Sequence, residues 1–365
     1  MDSARDGYLL PKPLQTLAKW SPTQIVALAV VVAIILGVID WITGPLVSFT
    51  IFYMVPVALV AWLVGRRAAV LLSLFCAVVW TVADAEPWPS SLPPVLDLWN
   101  LSVRLGFFLL LTWALATTRR ALESQNTLAR RVQMGLLRSR LPADGPIEVA
   151  ASWRPAQAVS GDFYFVDQDP SGAVVACIAD VSGKGVGPAL LMANVQAALE
   201  TSVEAGASPS ALCARLNQFL TRHAADGQFV TFFAIRFHVS AGRASYCNAG
   251  HNAPLLLRAE GKVEWLSGGG PVLGVFPDRE FEEREIPLAA RDRVVLFTDG
   301  VSETWNAAGE EFGDERIVAA ARGLGWAGAE ETQHRILDAL DRFARGSYHD
   351  DVTTVVLTVK PDGGS

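Results

Sequence analysis

Nothing in this sequence constrains its fold more than four apolar stretches before residue 120: Ile25–Ile42, Val47–Val64, Ala68–Ala83 and Leu96–Ala116. Each approaches the roughly 20 residues that a helix needs to cross a bilayer, the third being short. The first lacks a small-residue cleavage site and three more spans follow it, which argues against a cleaved signal peptide. Basic residues set the orientation. Lys12 and Lys19 precede the first span, Arg66 and Arg67 join the second to the third, and Arg119 and Arg120 follow the fourth. The other two connections carry no Lys or Arg, so every basic cluster falls on one side and both termini are predicted to face the cytoplasm. Trp41, Trp88 and Trp99 stand where an outer aromatic belt would lie. The expectation is a multi-pass protein of the inner (cytoplasmic) membrane, with a cytoplasmic segment 1–24 and four transmembrane helices within 25–118.

Asp40 and Arg104 fall within or near these spans, where ionisable groups are costly. Two readings stay open: Asp40 at the outer interface with Arg104 pairing to it or to Asp97, or a polar sensing pocket between helices. Beyond the spans, Arg119 to Arg140 contains no Gly or Pro except Gly135, and Leu115, Leu122, Ala129 and Leu136 fall seven apart. A linker helix is expected over 119–145, either a solvated basic helix or the seam of a homodimer. Pro142 and Gly145 end it.

The chain then changes character. Residues 1–141 carry 12 Lys/Arg against 7 Asp/Glu, whereas residues 142–365 carry 18 against 30. An acidic second half argues against a nucleic-acid partner, whose phosphates need basic surface. It suits carboxylates gathered around cations. Cys76, Cys177, Cys213 and Cys247 show no metal-binding spacing and read as small buried hydrophobes in a reducing compartment.

A domain over 146–360, followed by a tail 361–365, reads as strands, a helix pair, many strands, helices and a final strand. The simplest packing is α+β: two antiparallel sheets in a sandwich flanked by helices. Four acidic sites share one context. The apolar run Ala173–Ala179 stops at Asp180, followed by Gly183, Gly185 and Gly187; Arg293–Thr298 stops at Asp299-Gly300. Asp162 opens a strand after Gly161, and Asp350 and Asp351 immediately precede the last one. A turn at Asp169–Gly172 makes a hairpin that sets Asp162 beside Asp180. Strand ends of a sandwich can converge on one edge, and such a carboxylate cluster repels itself unless neutralised. Oxygen-rich, His-poor and Cys-poor sites bind hard cations, Mg²⁺ or Mn²⁺. Two ions about 3.5–4 Å apart would activate water and clamp a phosphoryl group.

Five ordered motifs carry a family resemblance: Ser160-Gly-Asp-Phe-Tyr164, Asp180-Val-Ser-Gly-Lys-Gly185, Asn248-Ala-Gly-His-Asn252, Thr298-Asp-Gly-Val301 and Asp350-Asp-Val-Thr353. Over roughly residues 147–360 the chain resembles the SpoIIE/RsbU-type branch of bacterial metal-dependent serine/threonine phosphatases, within the protein phosphatase 2C superfamily. The resemblance implies the same sandwich, hydrolysis of phosphoserine or phosphothreonine, and two Mn²⁺ or Mg²⁺ ions. It implies Asp180 as the bridging ligand with the Val181 carbonyl beside it, and Asp299 and Asp350 on one ion. Asp162 would bind directly or through water, and Asp351 is a further ligand. The implied partner is a phosphorylated signalling protein, such as a STAS-type anti-sigma-factor antagonist. Three positions depart from the pattern. Ser160 replaces the first residue of the usual Gly-Gly-Asp, and Phe165 stands where many members have a second acid. Ser182 follows the bridging motif where eukaryotic relatives have His. The general acid and the phosphate contact are left open, with Lys184 the candidate for the latter and His251 read as a scaffold residue.

Competing readings fare worse. A P-loop needs Gly-Lys-Ser/Thr, but Gly185 follows Lys184. Ser160-Gly-Asp-Phe faintly echoes diguanylate cyclases, a family in which the other four motifs have no place. The alternative from another class is a catalytically silent receptor that only binds a partner; a binding-only domain needs no intact set of ligands.

Overall fold

The computed structural model describes residue 17 and residues 20–43, 49–85, 94–137, 145–225, 227–322, 327–346 and 348–361. The chain divides into two compact units, Met1–Thr127 and Leu128–Ser365.

The first unit contains α1 (Pro22–Thr43), α2 (Thr50–Leu63), α3 (Arg66–Ala85) and the start of α4 (Pro94–Leu136). Three of these are long and apolar enough to cross a membrane: α1, Arg66–Ala83 of α3, and Leu98–Leu136 of α4. Among the described residues three such helices are found where four spans were expected. The stretch Val47–Val64 folds as α2, whose 14 residues rise about 21 Å against a hydrocarbon core of about 30 Å. Residues 44–48, which preceded it in the expected span, lie outside the described residues. Ile25, Ala29, Tyr53, Val57, Cys76 and Phe108 form the interior of this bundle. Asp40 is buried, and Arg104 lies 4.0 Å over the Trp80 ring and donates to Thr81 Oγ1 at 3.4 Å. Trp41 and Trp99 are exposed, as belt residues would be, while Trp88 lies outside the described residues. Helix α4 runs unbroken through the last expected span and into the expected linker, as far as Leu136. Pro142, where that linker was expected to end, the N-terminal segment 1–16 and tail residues 362–365 lie outside the described residues.

In the second unit two sheets are stacked. The first runs β1 (Ile147–Arg154), β11 (Val352–Val359), β10 (Arg293–Phe297), β6 (Leu255–Leu257), β7 (Val263–Trp265). The second runs β2 (Phe163–Gln168), β3 (Val174–Val181), β4 (Val230–His238), β5 (Arg243–Ala249), β8 (Gly269–Gly270), with β9 (Arg284–Pro287) also on β5. All pairs are antiparallel except the short β5–β8 contact.

Strand alternation builds the layers. Val174, Ala176 and Ile178 of β3 face the sandwich interior, with Phe233, Leu296, Val355 and Leu357. Val175, Cys177 and Ala179 face outward, under α5 (Val186–Glu204) and α6 (Pro209–His223). On the opposite face Val295, Phe297 and Val356 are covered by α8 (Gly313–Arg322) and α9 (Ala329–Ala344). Each such Val, Leu, Ile or Phe contributes about 1.5–3 kcal/mol by leaving water. All four cysteines are free and buried, and burial pushes the Cys177 and Cys213 thiols up, away from reactivity.

Candidate active site

The site follows from where strands end. In the β2–β3 hairpin Phe163 pairs with Ala179, so Asp162 and Asp180 face each other one step further on. In the other sheet Phe297 pairs with Thr354, and the next step joins Thr298 N–H to the Thr353 carbonyl at 3.1 Å. Asp299 then opens the short α7 (Asp299–Ser302), and Asp350 and Asp351 lead into β11. Both sheets therefore deliver acids to one edge.

Close backbone approach holds this edge together. A Cβ on Gly300 would sit 1.9 Å from the Asp351 carbonyl, and one on Gly161 would sit 2.8 Å from the Val181 carbonyl. Only residues without a side chain allow these crossings.

Asp162 lies deepest, 2% exposed. Its Oδ2 accepts from the hydroxyls of Thr298 and Thr353, each at 2.7 Å, and its carbonyl accepts from Trp153 Nε1. Burial pushes its carboxyl well above the usual range, the charges of Asp180 and Asp351 add to this, and the two hydroxyls oppose it. Asp180 is pushed up to about 7, by burial first and then by Asp299, against a hydrogen bond with Asp162. Asp299 is raised by burial and by Asp350. Asp351 is raised by burial, against hydrogen bonds from the Ser160 hydroxyl and the Ala156 N–H, the latter at 2.7 Å. Every expected acid is thus gathered at one edge: Asp162, Asp180, Asp299, Asp350 and Asp351. Among the described residues no three acidic, His or Cys side chains close to the spacing of a metal cage.

Lys184 reaches back from the Gly-rich turn to this edge. Its Nζ donates to Asp350 Oδ2 at 2.8 Å and to the His349 carbonyl at 3.1 Å. The turn itself is pinned by Ser182, whose N–H donates to the Phe229 carbonyl and whose Oγ accepts from Phe229 N–H.

His251 is buried. Its N–H donates to Asn248 Oδ1 at 2.8 Å, and its Nδ1 is 2.8 Å from Thr231 Oγ1, on the residue paired with Asp180. Burial pushes its pKa down to about 4, so the ring is neutral. It braces the strand beside the acids.

Sequence reasoning missed Thr298 and Thr353 as partners of Asp162, and Ser160 as more than a small replacement. Ser160 Oγ accepts from Asp162 N–H at 3.0 Å while holding the Asp351 carboxyl. The shared Thr at the ends of the last motifs was a signal; the Ser160 links need the fold. A groove of about 710 Å³ between α6 and residues 274–279, lined by Arg215, Arg222 and Arg279, contains none of the five acids.

The family model of Stage II sporulation protein E (SpoIIE) matches residues 170–360. Phosphoserine phosphatase RsbU of Bacillus subtilis (strain 168) is 29% identical over 242 residues, covering 66% of this chain and 71% of that protein. Among solved structures, the SiaA-PP2C domain of Pseudomonas aeruginosa superposes with a TM-score of 0.59 at 20% identity, over 67% of this chain and 99% of that one. The PP2C phosphatase domain and regulatory fragment of SpoIIE from Bacillus subtilis gives 0.52 at 19% identity, over 60% and 64%. The structural likenesses establish the fold, and the match over more than half its length places the chain in the SpoIIE family of PP2C-type phosphatase domains.

Proposed function

We propose that this chain is a membrane-anchored, metal-dependent protein serine/threonine phosphatase that hydrolyses phosphoserine or phosphothreonine on a signalling protein. The observation that carries the reading is the meeting of Asp162 and Asp180 from one sheet with Asp299, Asp350 and Asp351 from the other. The donor set fits hard divalent cations: it is all oxygen, and burial and mutual repulsion raise four of its members. Asp162, Asp180, Asp299, Asp350, Asp351 and the Val181 carbonyl would hold two Mn²⁺ or Mg²⁺ ions. When bound, such ions supply Lewis-acid activation of water and charge neutralisation at the phosphoryl group.

The chain's own groups do the rest. Thr298 and Thr353 fix the Asp162 carboxyl, and Gly161 and Gly300 let the two sheets' ends approach. Lys184 supplies a half-exposed ammonium at the rim, where it would contact the substrate phosphate. His251 braces the strand beside the acids through Thr231.

We take the apolar helices, the shorter α2 included, to anchor the chain by four crossings; the basic clusters, all on one side of such a bundle, support a cytoplasmic phosphatase unit. RsbU is named a phosphoserine phosphatase, which supports a phosphoprotein substrate; we take this to be a STAS-type anti-sigma-factor antagonist. Leu128 and Val132, both more than half exposed on α4, support a homodimer through that helix.

The test is phosphate release from a phosphoserine-bearing protein by the full chain in detergent. Activity should require Mn²⁺ or Mg²⁺ and stop with a chelator. Full activity without divalent ions would overturn the metal-dependent reading.

A further inference from the structure

Most of the end of α4 is exposed, with Val132 and Met134 at 60% and 57%, but Gln133 between them is 5% exposed. Its side-chain amide pairs with one backbone residue in both directions. Gln133 Nε2 donates to the Ser160 carbonyl at 3.0 Å, and Ser160 N–H donates to Gln133 Oε1 at 3.1 Å. The amide thereby imitates a neighbouring strand where Ser160 precedes β2 and has no ladder partner of its own. Ser160 in turn ties down two acids: its Oγ accepts from Asp162 N–H, and its hydroxyl holds the Asp351 carboxyl. The helix end is anchored as well, since Gln196 Nε2 on α5 donates to the Leu136 carbonyl and Leu137 packs on the core beneath α5 and α6.

We propose that Gln133 is a positioning residue for the acidic centre: through Ser160 it fixes Asp162 and Asp351 in the arrangement that takes up a divalent cation. The inference rests on the metal-dependent reading above. A Gln suits the place because one planar amide both donates and accepts. Glu would keep only the acceptor, and Ala neither.

The experiment titrates Mn²⁺ alone into the full chain in detergent by calorimetry, with metal-free thermal unfolding as a parallel readout. Gln133→Ala should weaken Mn²⁺ binding about 10–100-fold, the usual cost of losing an outer partner of a metal ligand. Gln133→Glu should weaken it less, and Met134→Ala not at all. The metal-free unfolding midpoint should move too little to account for these losses. A folded Gln133→Ala with wild-type affinity overturns the inference; if that variant does not fold, Gln133→Glu at wild-type affinity does so. Asp180→Ala separates the two readings. If it loses Mn²⁺ while the Gln133 variants keep it, only the positioning role fails. If it binds like wild type, the metal-dependent reading fails with it.

Discussion

Asp162 concentrates two hydroxyl donors on one carboxylate oxygen, so the orientation of its other oxygen is set by Thr298 and Thr353. Thr353→Val keeps the shape and removes one donor. Phosphatase activity should fall about 10–100-fold while the fold survives, measured as kcat/KM beside circular dichroism. Gly300→Ala is a different kind of change. Its Cβ would meet the Asp351 carbonyl at 1.9 Å, and neither backbone can yield cheaply. We expect about 1–3 kcal/mol of destabilisation or more together with lost activity; a wild-type melting profile would contradict the crossing. His251 gives a pH signature. Its folded pKa of about 4 lies below the ordinary 6.5, so the neutral ring stabilises the fold above 6.5 and that stability is lost as pH falls towards 4. Between pH 7.5 and 5 the wild type should lose about 2 kcal/mol more than His251→Gln in urea unfolding. Equal losses would show that the ring is not held neutral. The acids were legible in the sequence because each sits at the end of an apolar strand: Asp180 and Asp299 close one, while Asp162, Asp350 and Asp351 stand just before one. Thr298, Thr353 and Ser160 were not, because their partner lies on another strand and only sheet packing brings them together.

The elements read well where periodicity was long. The β2–β3 hairpin, the strand Val230–His238 and the helix pair over α5 and α6 follow from alternation, Gly-rich turns and the Ser208 cap on α6. The two-residue β8 and the four-residue β9 were not visible, since such short pieces have no period and pair only because β5 offers an edge. Of the second apolar run, Thr50–Leu63 is described as a helix, and hydropathy alone does not report where a helix begins. In the bundle, Ser73 Oγ and Thr112 Oγ1 meet at 3.2 Å between α3 and α4, both buried. A double-mutant cycle of Ser73→Ala and Thr112→Val should return about 0.6 kcal/mol of coupling, read from detergent unfolding. Zero coupling would mean that the two helices do not meet there.

Taken whole, the chain joins an apolar helical unit to a SpoIIE-family sandwich, and five acids of the second half meet at one sheet edge. The charge asymmetry of the connections predicts that protease added to intact spheroplasts spares the sandwich and digests it after lysis. The central claim is that the five acids form one two-cation centre built around Asp180. Calorimetric titration of the full chain with Mn²⁺, followed by phosphate release from the same samples, tests it most directly. We predict two ions bound per wild-type chain with activity rising as they bind, and neither tight binding nor activity for Asp180→Ala. Equal uptake and equal activity in the two proteins would contradict it.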